Sequence, residues 1–241
     1  MFTDEILKRV REVSEEYARI EVQLPALEAE RAKRSVKSAT EWNNAIVAVG
    51  TGYGCVVQGA DDRFVVTAAH CLPQLPPCSI DTVDRKSWYP ALLGPLGGQK
   101  TVTAACCFVD PISDVAVLGV PNSIDAPEEY EQYLQLTIAA APLSIAVPPP
   151  ASLVWIPSPE GDWLSHVAMS AASEKLVMLG LERILVEMSG VPIVLDDGTA
   201  VGVLCPDPER GFVGGVHPAL VGSIPPRLLR FLGITGTLTA S

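Results

Sequence analysis

The sequence predicts an all-β protein, a sandwich or a barrel, preceded by a helical extension. Three observations predict it. From Trp42 onward the chain breaks into short apolar runs: NAIVAVGTG, GCVVQG, RFVVTAAHC, TVTAACCFV, DVAVLGV, SLVWIP, WLSHVAM, KLVML, VPIVLDDGTAVGVLC and LVGSIP. Gly, Pro and Asp separate them, as turn residues separate the strands of a sheet. Before Trp42 the apolar residues recur instead at helical spacing. With 241 residues, 48% of them hydrophobic, the chain can bury the core of one barrel-type domain or of two smaller units.

The helical extension comes first. Ile6, Val10, Val13, Tyr17, Ile20, Leu24 and Leu27 alternate steps of four and three, the apolar stripe of a helix packed lengthwise against something. Thr3 is placed to cap it, Asp4 and Glu5 favour its positive end, and Pro25 is expected to end or kink it. The stripe fits two uses, packing on the protein's own body or forming a surface for a regulatory partner or a second copy. Within the β-rich region, SIDAPEEYEQYLQL reads as a helix or a loop, and the proline-rich PLSIAVPPPASL as a connection between two β-halves. Two prolines before RLLRFL predict a short closing helix.

Composition narrows the partners. A net charge of −11, with one short mixed basic cluster, ERAKRSVK, argues against nucleic acid, which demands clustered Lys and Arg. No apolar run approaches the roughly 18 residues of a membrane helix, so no membrane partner is expected. The charged start MFTDEILKRVREVSEEYARIE lacks a secretory h-region, which leads to an expectation of a cytoplasmic protein. Six cysteines in that setting read as reduced thiols. None has CxxC spacing, so neither a metal nor another cofactor is expected. Adjacent Cys106 and Cys107 read as buried strand thiols.

Three polar residues stand out against the apolar runs. His70 closes VVTAAHC, Asp114 opens DVAVLGV where a buried charge would need a partner, and Ser189 sits at a Met-Ser-Gly turn between apolar strands. Singly, each has an ordinary structural explanation. In the order His, Asp, Ser on a β-rich chain they resemble the trypsin-like (chymotrypsin-fold) serine peptidases, in their compact bacterial form. The resemblance covers most of Trp42 to Ser241. GTGYGCVV resembles the opening strands of that family, VVTAAHC its histidine motif, DPISDVAVL its aspartate motif, MSGVPIV its nucleophile turn and GTAVGVLC its substrate-lining strand. TAAHC is the most specific of these. The spacings of 44 residues from His70 to Asp114 and 75 from Asp114 to Ser189 also resemble the family's.

The resemblance implies a chymotrypsin-like double β-barrel, with an extension over 1–38 and a peptidase domain over 39–241. Its first barrel would occupy about 39–145 and its second about 150–230. It implies a serine endopeptidase acting on protein or peptide substrates. His70 would be the general base and acid, Asp114 its orienting carboxylate, and Ser189 the nucleophile. Backbone N–H groups of Glu187 and Ser189 would form the oxyanion hole. Cys55 and Cys71 would be neighbours, free in a reducing compartment. The residue six before the nucleophile, Arg183, would either be solvated on a strand edge or favour an acidic P1 side chain, unless Asp207 pairs with it, while Cys205, Pro206 and Asp207 would line the pocket. His166 and His217 lack motif context and read as structural.

Two departures stand out. Glu187 occupies the position that is glycine in most of the family, where a side chain strains the backbone by about 1–3 kcal/mol. A hole that forms only on binding substrate or partner, or a catalytically silent protein-binding module, would follow. Met188 replaces the aspartate that receives a new N-terminus in many secreted relatives, so activation by that route is not expected.

Overall fold

The computed structural model describes residues 8, 15, 18–19, 22–31, 40–76, 87–158, 161–171, 175–179, 186–206 and 216–234. The protein is an all-β chymotrypsin-like double barrel. The first six strands are β1 (Ile46–Val49), β2 (Gly52–Gln58), β3 (Arg63–Thr67), β4 (Trp88–Pro95), β5 (Val102–Asp110) and β6 (Val115–Gly119). They close an antiparallel barrel in the order β1-β2-β3-β6-β5-β4. Closure follows from β1 pairing with both β2 and β4. The second six are β7 (Ala151–Pro157), β8 (Trp163–Ala171), β9 (Lys175–Leu179), β10 (Pro192–Val194), β11 (Ala200–Val203) and β12 (Val216–Pro218). They form a sheet in the order β11-β10-β7-β8-β9-β12. A bridge from Gly202 to Ala219 links β11 to the residue just beyond β12 and curls the sheet toward closure.

The connection between the halves is held by both. Leu143 N–H donates to Val56 O (2.9 Å) and Gln58 N–H to Leu143 O (3.2 Å). Just beyond Leu143, Ala146 N–H reaches Ala200 O (3.2 Å) and Ala200 N–H reaches Ser144 O (2.8 Å). A second tie runs from the short helix α2 (Thr40–Asn43) that leads into β1. Trp42 meets Trp163 edge-on at 5.0 Å and Trp155 at 6.5 Å between ring centroids. Trp163 Nε1–H donates to Asn43 Oδ1 (2.7 Å) and Trp155 Nε1–H to Asp196 Oδ1 (2.6 Å). Three indoles thus bury apolar area between the start of the first barrel and the second sheet, with the polar tips of Trp155 and Trp163 satisfied.

The helices complete the frame. SIDAPEEYEQYLQL resolves to α3 (Pro127–Ala139), with proline in its first turn and Glu128 and Glu129 near its positive end. Tyr133 is fully buried and its hydroxyl donates toward Leu118 O and Arg63 O, both at 3.1 Å. Arg63 covers the helix C-terminus, donating to the carbonyls of Thr137 and of Ala140 (3.1 Å). The closing helix is α5 (Pro226–Phe231).

Three expectations are corrected. Residues 22–31, here α1, are helical throughout, so of the two outcomes expected at Pro25, an end or a kink, the helix does not end there. The φ that proline imposes is helical, and the loss of one backbone bond leaves its neighbours intact. Of the stripe, Leu24 and Leu27 are partly buried; the other five residues, with Thr3, Asp4 and Glu5, lie outside the described residues. LVGSIP is no strand: Leu220–Ser223 form a helical turn, α4, in which Ser223 N–H meets Ala219 O and Ile224 N–H meets Leu220 O, both at 3.0 Å. A short apolar run without alternation suits either structure, and the chain turns because β12 has just ended. Strand β4, absent from the sequence expectation, carries Pro90 beside a register shift between Tyr89 and Leu93, and Ala91 there has φ +50°. Cys106 and Cys107 lie on β5 but are only partly buried. No helix among the described residues is long and apolar enough to cross a membrane.

The core of the second sheet contains two imidazoles. His166 pairs across β7 and β8 with Val154, and His217 across β9 and β12 with Leu176; Val154 and Leu176 belong to the apolar core. Burial pushes His166 down to about 4, with the Arg31 charge adding to it, and burial alone pushes His217 down to about 4. The ordinary value in an unfolded chain is about 6.5. Both are therefore neutral when folded and bind protons on unfolding, so their contribution is complete above pH 6.5 and is lost as pH falls through about 4. Between pH 7 and pH 5 each should cost about 2 kcal/mol of stability. Urea unfolding at the two pH values measures this, with His166→Gln expected to flatten the dependence. An unchanged slope in that variant would remove His166 from the account.

Candidate active site

His70 sits where β3 leaves the first barrel. The strand ends at Thr67 and the chain tightens into a 3-10 turn, Ala69–Cys71, whose side chains at Ala69 and Cys71 are buried while His70 faces out. Asp114 lies opposite, just before β6, and the β3-β6 pairing of Thr67 with Ala116 brings the two together. The Asp114 carboxylate accepts both N–H groups of one residue: His70 main-chain N–H at Oδ1 (2.9 Å) and Nδ1–H at Oδ2 (2.7 Å). A two-point grip of this kind fixes ring plane as well as distance. With its proton on Nδ1, the ring presents Nε2 as a base.

The grip is maintained against strain. Asp114 has φ +58°, one of two described non-glycine residues with positive φ. Ala69 N–H bonds its carbonyl (3.2 Å), and the Cys205 thiol, arriving from the second sheet, lies 3.5 Å from the same oxygen. Its side chain is 29% exposed, so it is half-buried at the junction rather than enclosed. Burial by itself would push the carboxyl up, but hydrogen bonds from His70 and Cys205 and the His70 charge outweigh it and hold it below the ordinary value. The hydrogen bond His70 donates to Asp114 raises His70 above 6.5 against the lowering effect of burial, with their charge attraction adding to the rise.

Ser189 is 2% exposed and follows a 3-10 turn, Val186–Met188. Its carbonyl accepts Tyr53 N–H of β2 (2.8 Å), and Gly190 N–H donates to Leu204 O (2.8 Å). Ser189 is thereby clamped between β2 of the first barrel and the end of β11. Gly52 marks how close the parts come: a Cβ there would lie 2.4 Å from Ser189 O and 2.8 Å from Cys71 Sγ, the neighbour of His70. Glu187 is exposed and lies outside the positive-φ region.

Of the other expected residues, Cys205 and Pro206 follow β11 and are partly buried; Arg183 and Asp207 lie outside the described residues. Cys205 does more than line a wall, because its thiol touches Asp114 and its N–H donates to His217 Nδ1 (2.9 Å). No sequence signal marked that link, since only sheet curvature brings positions 205 and 217 together. Cys55 and Cys71 are buried free thiols, pushed up by burial to about 12 and about 11. Among the described residues no group of three His, Cys, Asp or Glu side chains is placed to hold a metal.

No family model and no curated protein matches the chain. Solved structures are similar to the chain at low identity. One comes from work on aromatic interactions in the coupled folding and binding of the intrinsically disordered Sesbania mosaic virus VPg protein. It is 16% identical, with a TM-score of 0.50, over 74% of this chain and 86% of that one. The inactive form of the Rv3671c protease of M. tuberculosis is 16% identical, TM-score 0.48, over 83% and 93%. A serine endoprotease from Yersinia pestis is 13% identical, TM-score 0.48, over 76% of this chain and 61% of its own.

Proposed function

We propose that the protein is a serine endopeptidase whose triad is His70, Asp114 and Ser189, acting on protein or peptide substrates and latent until one binds. The observation that carries this is the double acceptance of His70 N–H groups by the Asp114 carboxylate, which orients Nε2 as a base. In the first half-reaction Ser189 Oγ attacks the substrate carbonyl while His70 takes its proton. The C–N bond then breaks, the amine leaves with that proton, and an acyl-enzyme remains. Water, deprotonated by His70, repeats the sequence and releases the acid.

Latency rests on the turn before Ser189. An oxyanion hole needs the N–H groups of Glu187 and Ser189 to converge on one point, whereas a 3-10 turn aims its N–H groups at carbonyls three residues back. Turning the Glu187 peptide outward would cost about 1–3 kcal/mol, within reach of substrate binding energy. The same turn, with Ser189 only 2% exposed, favours a second reading, a protein-binding module that does not cut. In either case α1, which Arg31 ties to the second sheet through its Nε–H bond to Ser165 O (3.1 Å), is the element we assign to docking or regulation.

Fluorophosphonate labelling of the purified chain separates the two. The peptidase reading expects labelling of the wild type, none in Ser189→Ala, and a rate at least ~100-fold lower in His70→Ala. Absence of labelling in the presence and absence of peptide mixtures would leave the binding module.

A further inference from the structure

We infer that His217 is a positioning residue: by accepting the Cys205 N–H it fixes the thiol that holds Asp114, and through Asp114 it sets the orientation of His70. The inference deepens the peptidase reading and rests on it for its chemical meaning. The contacts form one continuous series across the two halves of the molecule. His217 Nδ1 accepts from Cys205 N–H (2.9 Å), Cys205 Sγ lies 3.5 Å from Asp114 O, and Asp114 grips His70 at 2.9 and 2.7 Å.

Each link answers a physical need. The β10-β11 pairing continues through Leu204, whose N–H reaches Val191 O and whose carbonyl accepts Gly190 N–H. Cys205 is the next residue, past the end of β11, and its partly buried N–H requires another acceptor. His217, 1% exposed on β12, supplies one from a side chain. That acceptance places the ring proton on Nε2, which meets no acceptor among the described residues. An orphaned buried donor is a cost that a leucine would avoid, so the imidazole is explained by what Nδ1 does. The thiol it fixes is suited to donate: burial, the Asp114 charge and the hydrogen bond to Asp114 push Cys205 well above its ordinary value and keep it protonated. Asp114 in turn needs outside support because of its positive φ.

The test reads His70 directly. The chain has three histidines, and His166 and His217 are pushed down to about 4, so the imidazole that titrates above 6.5 by NMR is His70. His217→Leu removes the acceptor, while His217→Asn offers a carbonyl oxygen near the position of Nδ1. The expected result is a fall of about half a pH unit or more in the His70 midpoint in His217→Leu, with His217→Asn close to wild type. Fluorophosphonate labelling should slow ~10-fold in His217→Leu and recover in His217→Asn. An unchanged His70 midpoint in folded His217→Leu would overturn the inference. If that variant fails to fold, Cys205→Ala deletes the thiol alone, and the same fall in midpoint is expected; no fall overturns it equally. The midpoint needs no turnover, so a chain that never labels defeats the peptidase reading while the His217 inference is still decided by the titration.

Discussion

Asp114→Asn is expected to slow fluorophosphonate labelling by about three to four orders of magnitude while leaving the fold intact. The size follows from the role proposed for the carboxylate, holding one tautomer and stabilising the imidazolium that forms during attack. Here it accepts two N–H groups of His70 at once. An asparagine keeps one acceptor, turns a donor toward the other N–H and carries no charge. The His70 titration should move with the rate. Asp114 raises His70 against burial, so without the carboxylate burial acts unopposed and the midpoint falls below its wild-type position. Wild-type labelling should rise with pH through the raised His70 midpoint, because only the neutral ring is a base. A His70 midpoint unmoved by the substitution would mean that the 2.7 Å contact does not govern its protonation.

Gly190→Ala should be the most destabilising single substitution near Ser189. Gly190 has φ +85°, and a Cβ there would lie 1.8 Å from Tyr53 O and 2.7 Å from Thr67 Oγ1. Both obstacles are held, since Tyr53 O accepts the Thr67 hydroxyl at 2.6 Å and the backbone of β2 is locked in the barrel. The left-handed backbone costs an alanine about 1–2 kcal/mol and the overlap about 1–3 more, a fall in Tm of roughly 10 °C. Labelling should vanish as well, because the Ser189 and Gly190 backbone must shift away from β2. Gly97→Ala is the control: φ is +71° but nothing lies within 4 Å, so only the conformational cost should remain. Equal melting shifts in the two variants would show that the contact with Tyr53 is not the obstacle.

The candidate site was pointed to by short, local patterns. TAAHC, the aspartate before VAVL and the serine before Gly-Val-Pro each depend on neighbours within a few residues, and local chemistry can be read from local sequence. The closing helix was legible for the same reason, since Pro226 in its first turn is a start signal independent of tertiary context. The failures were of two kinds. LVGSIP has an apolar content that either a strand or a helical turn can bury, and the end of β12 decided between them. Strand β4 was hidden by Pro90 and by the bulge beside it, which remove the alternation that marks a strand.

The sequence by itself determined the all-β class, the broken rhythm of two β-halves and the three polar residues set against apolar runs. Those properties reside in period, turn chemistry and the cost of a buried charge, all expressed over a few residues. Tertiary structure alone decided that Asp114 grips both N–H groups of His70, that Cys205 reaches Asp114 from the other half, and that His217 stands behind Cys205. It decided too that Glu187 lies in a 3-10 turn with ordinary φ. Hydrogen bonds between residues far apart along the chain depend on strand register and sheet curvature, and these are set by the packing of the whole core.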